Sequence, residues 1–446
     1  MSNHSPARPR PGFLLAAIAA AAALPLAACA SPGTQDDDAI EPETTAEEIA
    51  TTEEAASVPR LALTYDGGIQ ILDATTLEVI DDVSLAGFNR LNPAGDERHL
   101  FVSTTGGFQV LDLGVWGEPH GDHAHYYSTA PALLDQTYAA EVPGHVVVHH
   151  GRTALFDDGT GQIRVLDTAA VTDSAAEIRE HTTPSPHHGV AVELTDGTLI
   201  VSEGTEDART GAVALDADGH EIASSDECPG IHGETVTEEE TVVFGCENGA
   251  LLYADGAFTK VAAPDEFGRI GNLRSAPGSD VVLGDYNTDP DGGPLTQIAL
   301  IDTHDGEITV VDLGTEYTFR SLARDEDGHA LVLGADGSIH VIEPEEGTVE
   351  ATIPVIDAWE VPEEWQQPRP TITMLAGSAY VTDPAGQRLL GVDIPTAEVW
   401  LESALDVVPN EIAGVSGDVS EGAVEDDHDH GDEDHDDHDH DEDDDH

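Results

Sequence analysis

The chain has 446 residues, of which 16 are Lys or Arg and 89 are Asp or Glu, and its formal net charge is −73. Such a charge repels phosphate, which argues against nucleic acid as a partner. An acid-rich, lysine-poor composition also keeps proteins soluble in salty surroundings, so the bulk charge by itself identifies no function.

The first 29 residues have the pattern of a bacterial lipoprotein signal peptide. Arg8 and Arg10 precede an apolar run from Phe13 to Leu26 that is too short to span a bilayer. The sequence Leu-Ala-Ala-Cys ending at Cys29 resembles a lipobox. We predict export, cleavage before Cys29 and lipid attachment there, which anchors the protein to the outer face of the cell membrane or places it in the periplasm. The alternative is an ordinary or uncleaved signal peptide with a chance cysteine.

Three segments follow the signal peptide. Residues 30–57 are rich in Asp, Glu, Thr, Ala and Pro and lack aromatic side chains, which predicts a disordered acidic tether. We expect the folded body to span residues 58–416, and residues 417–446 to form a disordered tail.

The body contains one unit repeated eight times and no convincing amphipathic helix. Each copy has an apolar strand, a turn rich in Gly and Asp, and a second strand that often ends in Leu-Asp or Ile-Asp. The copies occupy residues 61–73, 100–112, 154–167, 198–216, 242–255, 281–302, 330–343 and 379–393. A spacing of mostly about 40–50 residues is typical of four-stranded propeller blades. The sequence therefore predicts an all-β fold, an eight-bladed β-propeller.

The end of the body is predicted to close the ring of blades. Every hairpin except the first is preceded by another short strand, which in a propeller lines the central channel. We predict that Pro409–Val415 supplies the missing inner strand of the first blade, because an unpaired blade edge is unfavourable.

Histidine occupies the same position in three consecutive repeats. His145, His188 and His232 lie 43 and 44 residues apart, which is one repeat each. The corresponding positions in other repeats hold Arg90, Asn272 and Arg320, so the histidines form an arc and not a full ring. Three neutral imidazoles on rigid strands suit tetrahedral zinc. The alternative is that these histidines make structural hydrogen bonds.

Two further histidines belong to the same segments. His187 precedes His188 and is a candidate ligand. His149 lies four residues after His145 and shares its strand face, so we expect a ligand deeper in the channel or a hydrogen-bond partner of the site.

A histidine-rich insertion, residues 116–130, interrupts the interval between the second and third hairpins. Its candidate metal ligands are His120, Asp122, His123 and His125. Because the insertion directly precedes the third blade, we expect it to supply the fourth zinc ligand and to exchange ligands during capture and handover.

The last 22 residues hold six histidines and fifteen carboxylates, with no apolar side chain. Such a segment binds metal weakly, because ordering a flexible chain costs entropy. The weak candidate ligands are His428, His430, His435, His438, His440 and His446. The alternative is a solvated acidic tail with incidental histidines.

The two cysteines that remain after processing are Cys228 and Cys246. A hairpin that turns near Glu239 places residue 232 opposite roughly residue 246, which brings the two cysteines close together. In an extracytoplasmic protein this predicts a disulfide. Free buried thiols, or ligation of zinc by one thiolate, are the alternatives.

The chain resembles the AztD-type zinc metallochaperones, which are extracytoplasmic propellers that work beside a zinc ABC importer. The resemblance rests on the exported propeller, the insertion His120–His125, the Pro-His-His-Gly-Val segment at 186–190, and the His-x₃-His pair at 145 and 149. It covers roughly residues 58–416. It implies zinc binding in the propeller and transfer to the importer's solute-binding protein. The family's mobile His/Asp-rich segment is expected near the amino terminus, whereas here residues 30–58 contain no histidine and the rich segment is C-terminal.

We therefore predict a zinc-binding, non-enzymatic, monomeric chaperone that touches the membrane through its lipid anchor alone. One alternative is a propeller enzyme of the lactonase or quinone-dependent dehydrogenase type, although the chain has no GxSxG or HExxH motif and no phosphate-binding glycine loop. Another is a protein-recognition propeller with a metal-buffering tail. The same ligand types also bind Cu²⁺ and Ni²⁺, so the sequence leaves the native metal open.

Overall fold

The structure is a computed structural model and describes residues 50–420. Cys29 and the rest of the predicted signal peptide lie outside the described residues, as do the six tail histidines. Within 50–420, none of the helical segments has the length and apolar character of a transmembrane span.

The described residues fold into 35 β-strands and one short 3₁₀ helix, Thr168–Ala170. The strands of the first half are β1 (Thr52–Glu54), β2 (Arg60–Tyr65), β3 (Gly67–Asp73), β4 (Val79–Leu85), β5 (Arg90–Pro93), β6 (His99–Thr104), β7 (Gly107–Asp112), β8 (Val115–His120), β9 (His123–Ser128), β10 (Ala132–Ala139), β11 (Pro143–His149), β12 (Arg152–Asp157), β13 (Gln162–Asp167), β14 (Ile178–Thr182), β15 (Ala191–Glu193), β16 (Leu199–Gly204), β17 (Arg209–Leu215) and β18 (Glu221–Ser225). Those of the second half are β19 (His232–Val236), β20 (Val242–Cys246), β21 (Gly249–Ala254), β22 (Ala257–Ala262), β23 (Leu273–Arg274), β24 (Val281–Tyr286), β25 (Leu295–Asp302), β26 (Glu307–Tyr317), β27 (Leu322–Arg324), β28 (Ala330–Leu333), β29 (Ser338–Glu343), β30 (Thr348–Pro354), β31 (Ile372–Leu375), β32 (Ser378–Asp383), β33 (Arg388–Asp393), β34 (Glu398–Ala404) and β35 (Ile412–Val415).

In the part of the chain that the structure describes, the strands form eight four-stranded antiparallel sheets and one three-stranded sheet. The four-stranded sheets have the orders β35-β2-β3-β4, β5-β6-β7-β10, β11-β12-β13-β14, β15-β16-β17-β18, β19-β20-β21-β22, β23-β24-β25-β26, β27-β28-β29-β30 and β31-β32-β33-β34. The fold is thus all-β, as the sequence predicts, and its sheets are consistent with the blades of a propeller.

The first strands of most successive sheets contact one another. Contacts join β35 to β5, β5 to β11, β11 to β15, β19 to β23, β23 to β27, β27 to β31, and β31 to β35. The C-terminal strand β35 pairs with β2, with Ala413 opposite Ala62. Residues near the carboxyl end of the body therefore complete the sheet that holds the first hairpin.

The hydrophobic core lies between adjacent sheets. One cluster joins Ile71 and Val102 of the first two sheets, and another joins Leu252 and Ile301 of the sheets that begin with β19 and β23. Strands such as β2 and β6 are therefore apolar and buried over several consecutive residues, because every sheet is covered on both faces by its neighbours.

The Leu-Asp or Ile-Asp ending of the repeat has a local structural cause. The carboxylate of Asp73 accepts hydrogen bonds from the backbone N–H groups of Thr75 and Thr76, and Asp393 accepts one from Thr396. A short acidic side chain at the end of a strand thus fixes the turn that follows it.

The structure corrects the predicted tether and tail. Residues 52–54, predicted to be disordered, form β1, which pairs with β9 of the insertion. At the other end, Asp418 accepts a hydrogen bond from the Tyr126 hydroxyl at 3.3 Å. The folded body therefore extends beyond 58–416 on both sides, because the insertion gives both ends a surface to bind.

Candidate metal centre

Three histidines meet where the first strands of three consecutive sheets begin. His145 lies on β11, His188 lies three residues before β15, and His232 is the first residue of β19. Equivalent positions in neighbouring sheets lie side by side, which is why a spacing of one repeat in sequence becomes a contact in space.

The Nε2 atoms of the three rings converge. The distance between the Nε2 atoms of His145 and His188 is 3.3 Å, and that between the Nε2 atoms of His188 and His232 is 3.1 Å. A tetrahedral zinc ion with Zn–N bonds of about 2.0–2.1 Å needs nitrogen atoms about 3.3 Å apart. The cluster already has this spacing.

The Nδ1 atoms point away from the cluster, and each has a partner at a fixed position. The contacts are His145 Nδ1 to Glu234 Oε1 at 3.3 Å, His188 Nδ1 to Asp158 Oδ2 at 2.5 Å, and His232 Nδ1 to the Gly271 carbonyl oxygen at 2.6 Å. Hydrogen bonds of this kind fix the ring orientation and leave Nε2 available as a metal ligand.

The contact with Gly271 determines the tautomer of His232. A carbonyl oxygen can only accept, so the hydrogen of the neutral ring lies on Nδ1 and the lone pair on Nε2. That lone pair points at His188. Because electron pairs that converge repel one another, the arrangement favours a cation between the rings.

The pKa values of two of the histidines shift in opposite directions. Burial lowers the pKa of His145, but the carboxylate of Glu234 outweighs burial and raises it overall. Burial, followed by the charges of His145 and His188, holds the pKa of His232 well below its usual value. His232 is therefore neutral, the form that binds metal, over the physiological pH range.

Backbone irregularities aim two of the rings. The pairing of β11 with β12 shifts register between Pro143 and Val146, and that of β19 with β20 shifts between His232 and Glu234. Such bulges rotate a side chain out of the regular alternation. Gly233 has a φ of 72°, and a Cβ there would lie 2.3 Å from the Gly271 oxygen, so glycine is required beside the cluster.

The three histidines line a cavity of 730 Å³. Arg90 and Asn272, which occupy the aligned positions in other repeats, line it too. Arg320 is the third aligned residue. Its guanidinium donates to Glu411, and its side chain lines an adjoining cavity.

The insertion forms a β-hairpin with a second histidine cluster. Strands β8 and β9 place His120 opposite His123, and the ligand atoms of His120, His123 and His125 lie within 4.8 Å of one another. His125 Nδ1 contacts Glu53 Oε1 of β1 at 3.0 Å. His120 and His123 are exposed and His125 is half-buried, whereas His188 is the one exposed histidine of the first cluster, so the hairpin cluster suits rapid exchange of a ligand.

The expectation that the insertion supplies the fourth ligand of the first cluster is not met. Its histidines form a group of their own, and none of them lines the 730 Å³ cavity. The reason is that β8 and β9 form a separate three-stranded sheet with β1 instead of folding over the cavity.

Three other predicted ligands lie outside both clusters. His187 is buried, and its Nδ1 and Nε2 atoms contact the carbonyl oxygens of Ser185 and Ser202. His149 Nε2 contacts Glu240 Oε1 at 3.3 Å. The side chain of Asp122 is fully exposed, beside His123. The structure therefore brings none of these three residues to the main cluster.

Cys228 and Cys246 form a disulfide with a Cα–Cα distance of 5.0 Å. Residue 232 pairs with Gly245, one residue from the predicted partner, because the bulge at His232 shifts the register. The disulfide links the segment before His232 to the neighbouring strand β20 and so supports the position of that histidine.

Sequence reasoning missed the residues that orient the rings. Glu234 carried a weak signal, its place two residues after His232, but the bulge between them breaks the strand alternation. Asp158 and Gly271 carried none, since they reach His188 and His232 from segments 30 and 39 residues away.

Fold and site together define an all-β protein of propeller type with a partly buried three-histidine cluster that has the ligands and spacing of a transition-metal site. No protein-family model matches the chain. A curated relative is the zinc chaperone AztD of Citrobacter koseri, 27% identical over 372 residues that cover 79% of this chain and 86% of the relative. The resemblance to AztD-type proteins that the sequence indicates is thereby confirmed.

Solved structures give the same result. The crystal structure of Citrobacter koseri AztD matches with a TM-score of 0.71 at 25% identity, covering 80% of this chain and 98% of that one. The apo form of that protein matches with a TM-score of 0.70 at 24% identity, covering 81% and 98%. The dihydro-heme d1 dehydrogenase NirN, at 10% identity, 81% and 76% coverage and a TM-score of 0.52, shares the fold alone.

Proposed function

We propose that this chain is an extracytoplasmic zinc chaperone that binds Zn²⁺ at His145, His188 and His232 and passes it to the solute-binding protein of a zinc ABC importer. The observation that carries the proposal is the convergence of the three Nε2 atoms, at 3.1 and 3.3 Å, while every Nδ1 atom is held by an acceptor. The similarity to the zinc chaperone AztD supports zinc as the metal.

The cluster suits a cargo site better than a permanent structural site. Structural zinc normally has four protein ligands, whereas three histidines leave one coordination position for water or for a ligand of another molecule. The side chain of His188 is 44% exposed, so an incoming ligand can approach from the cavity. Release by ligand exchange is therefore open to this site.

The proposed scaffold is an eight-bladed propeller whose ring is closed by β35. Eight four-stranded sheets in residues 50–420, the contacts between their first strands and the pairing of β35 with β2 support it. A closed ring holds the inner strands rigidly, which keeps three ligands from three blades in register.

The hairpin histidines and the tail are proposed as peripheral zinc collectors. His120, His123 and His125 form an exposed cluster, and the described chain ends beside the same hairpin, where Asp418 contacts Tyr126. The tail histidines from His428 onward continue from that point in sequence.

We place the protein outside the cytoplasm, lipid-anchored through Cys29, as a monomer without enzymatic activity. The Cys228–Cys246 disulfide supports an oxidising compartment, and the relative's description as a chaperone fits a non-enzymatic role.

The test compares four proteins for zinc stoichiometry and affinity in competition with a chelator. They are the unaltered chain, a variant with His145, His188 and His232 replaced by Ala, a variant with the three hairpin histidines replaced by Ala, and a chain truncated after Ser420. We expect the tight site to be lost only when His145, His188 and His232 are replaced. The hairpin variant and the truncated chain should lose only weaker binding. Unchanged tight binding without the channel histidines would refute the proposed site.

Handover is tested by mixing the zinc-loaded chain with the metal-free solute-binding protein of a zinc importer and separating the two. We expect transfer to outpace release into a chelator of equal affinity. Transfer at the rate of spontaneous release would contradict the chaperone role while leaving the zinc site intact.

A further inference from the structure

Basic side chains collect at one place in this strongly acidic protein. The 730 Å³ cavity around the histidines adjoins a second cavity of 510 Å³. The residues that line both are Arg90, Asn92, Asn272, Arg274 and Phe319. Two guanidinium groups and two amides thus meet at the junction, and among the described residues no carboxylate lines both cavities.

The two arginines have unused hydrogen-bond donors. Arg90 Nε contacts Glu411 at 3.1 Å, and its terminal nitrogens have no partner within residues 50–420. Arg274 donates from one terminal nitrogen to the Leu273 carbonyl oxygen at 2.7 Å, and the same range holds no partner for its other two nitrogens. Both side chains are open to solvent through the cavities.

The nearby acids are already occupied. Glu411 is shared between Arg90 and Arg320, and Asp285 accepts from the backbone N–H groups of Gly271 and Asn272. Of the two Glu234 oxygens, Oε1 contacts His145 Nδ1, while Oε2 is buried without a hydrogen-bond partner among the described residues. Within residues 50–420, none of these carboxylates forms an ion pair with Arg274, although the charges of Glu234 and Asp285 act on it from a distance, as that of Arg90 does with the opposite sign. The positive charge at the junction is therefore only partly compensated.

A surplus of positive charge on a surface facing a cavity attracts an anion, and the planar guanidinium donor pair matches the two oxygens of a carboxylate or phosphate. Water satisfies these donors less well, because it brings no charge. The amide of Asn92 offers a further polar contact, whereas that of Asn272 already donates to Asp285.

We propose that the junction of the two cavities is a binding site for a small oxyanion, a carboxylate or phosphate, held by Arg90 and Arg274. This part stands without any metal. A second part rests on the proposed function: an anion in the same cavity as the three histidines supplies an oxygen ligand to the open position of zinc, so that metal and anion bind together.

The first experiment is calorimetric titration of the metal-free whole chain with malonate and, separately, with inorganic phosphate, at low chloride. We expect saturable binding of at least one anion, and the tighter of the two identifies the preferred chemistry. The Arg274→Gln variant should bind at least tenfold more weakly. The matched control is Arg152→Gln, because that side chain is 47% exposed and lines neither cavity.

Absence of saturable binding by both anions, or equal binding by Arg274→Gln and the unaltered chain, would overturn the site. An equal loss in Arg152→Gln would do the same, since it would show a general charge effect. Thermal unfolding of each variant checks that it is folded, and Arg90→Gln gives a second, independent loss.

The second experiment measures zinc affinity with and without saturating malonate. Tighter zinc binding in malonate, absent in Arg274→Gln, supports joint binding. Unchanged zinc affinity would overturn joint binding alone, and absence of tight zinc in either condition would instead contradict the proposed function.

Discussion

The carboxylate of Glu234 gives the sharpest test of the metal centre. Its Oε1 atom accepts from His145 Nδ1 at 3.3 Å, and its side chain is 11% exposed. Replacement by Gln keeps the shape and an acceptor oxygen but removes the negative charge. The variant therefore separates the electrostatic contribution of Glu234 from its contribution to ring orientation.

The size of the effect follows from distance. Across the imidazole ring, a metal on Nε2 lies about 7 Å from the carboxylate, so a divalent ion and a unit charge attract by about 5 kcal/mol at an effective dielectric constant of about 20. Hydration of the carboxylate and screening offset much of this. Hydrogen-bond partners of metal ligands typically change affinity by about 10–100-fold, or about 1.4–2.7 kcal/mol, and we expect Glu234→Gln to weaken zinc binding within that range.

The assay is competition for zinc with a chromophoric chelator at constant pH and ionic strength. Glu240→Gln is the matched control, because Glu240 also contacts a histidine, His149, at 3.3 Å but lies outside both clusters. An affinity of Glu234→Gln within twofold of the unaltered chain, or an equal loss in Glu240→Gln, would refute the assignment of Glu234 to the site.

Three further predictions concern the cluster, the disulfide and pH. Gly233→Ala should weaken zinc binding at least tenfold, because its Cβ would displace the Gly271 oxygen that fixes His232. The control is Gly219→Ala, at a turn glycine with open space around it, which tests whether backbone strain alone weakens zinc binding. Replacing both Cys228 and Cys246 by Ser should lower the free energy of unfolding by about 3 kcal/mol, as loss of a loop constraint across a separation of 18 residues implies, and an unchanged urea midpoint would contradict this. Burial lowers the pKa of His99, but Asp112 and Asp96 outweigh it and raise the pKa to about 9. His99 therefore contributes about 3 kcal/mol to the free energy of unfolding, which is fully present below pH about 6.5 and is lost as the pH rises through about 9. In urea unfolding at a series of pH values, His99→Gln should flatten this part of the curve of stability against pH. A curve unchanged by the substitution would count against this assignment.

Much of the architecture was predictable because blade repeats are local. The Gly/Asp turns and the Leu-Asp endings lie within one hairpin, and hydrogen bonds such as that from Thr75 to Asp73 need only neighbouring residues. The alignment of His145, His188 and His232 followed from the same period, since equivalent positions of neighbouring sheets must lie together.

Other features depend on contacts between distant segments. The pairing of Thr52–Glu54 with the insertion joins residues more than 70 positions apart, and the polar composition of that segment alone favours disorder. His187 and His188 are adjacent in sequence, yet the first contacts Ser202 in the core while the second faces the cavity. Composition cannot distinguish two such neighbours, because the direction of each side chain depends on local backbone geometry.

The sequence by itself determined that three histidines recur at one position of a repeated β unit, because a fixed period converts directly into a fixed place in each sheet. Only the tertiary structure decided which atoms complete the site. Glu234, Asp158 and Gly271 reach the rings from positions 89, 30 and 39 residues away from the histidines that they hold. Their contacts arise from the packing of neighbouring sheets and from backbone bulges, and neither leaves a periodic signal in the chain.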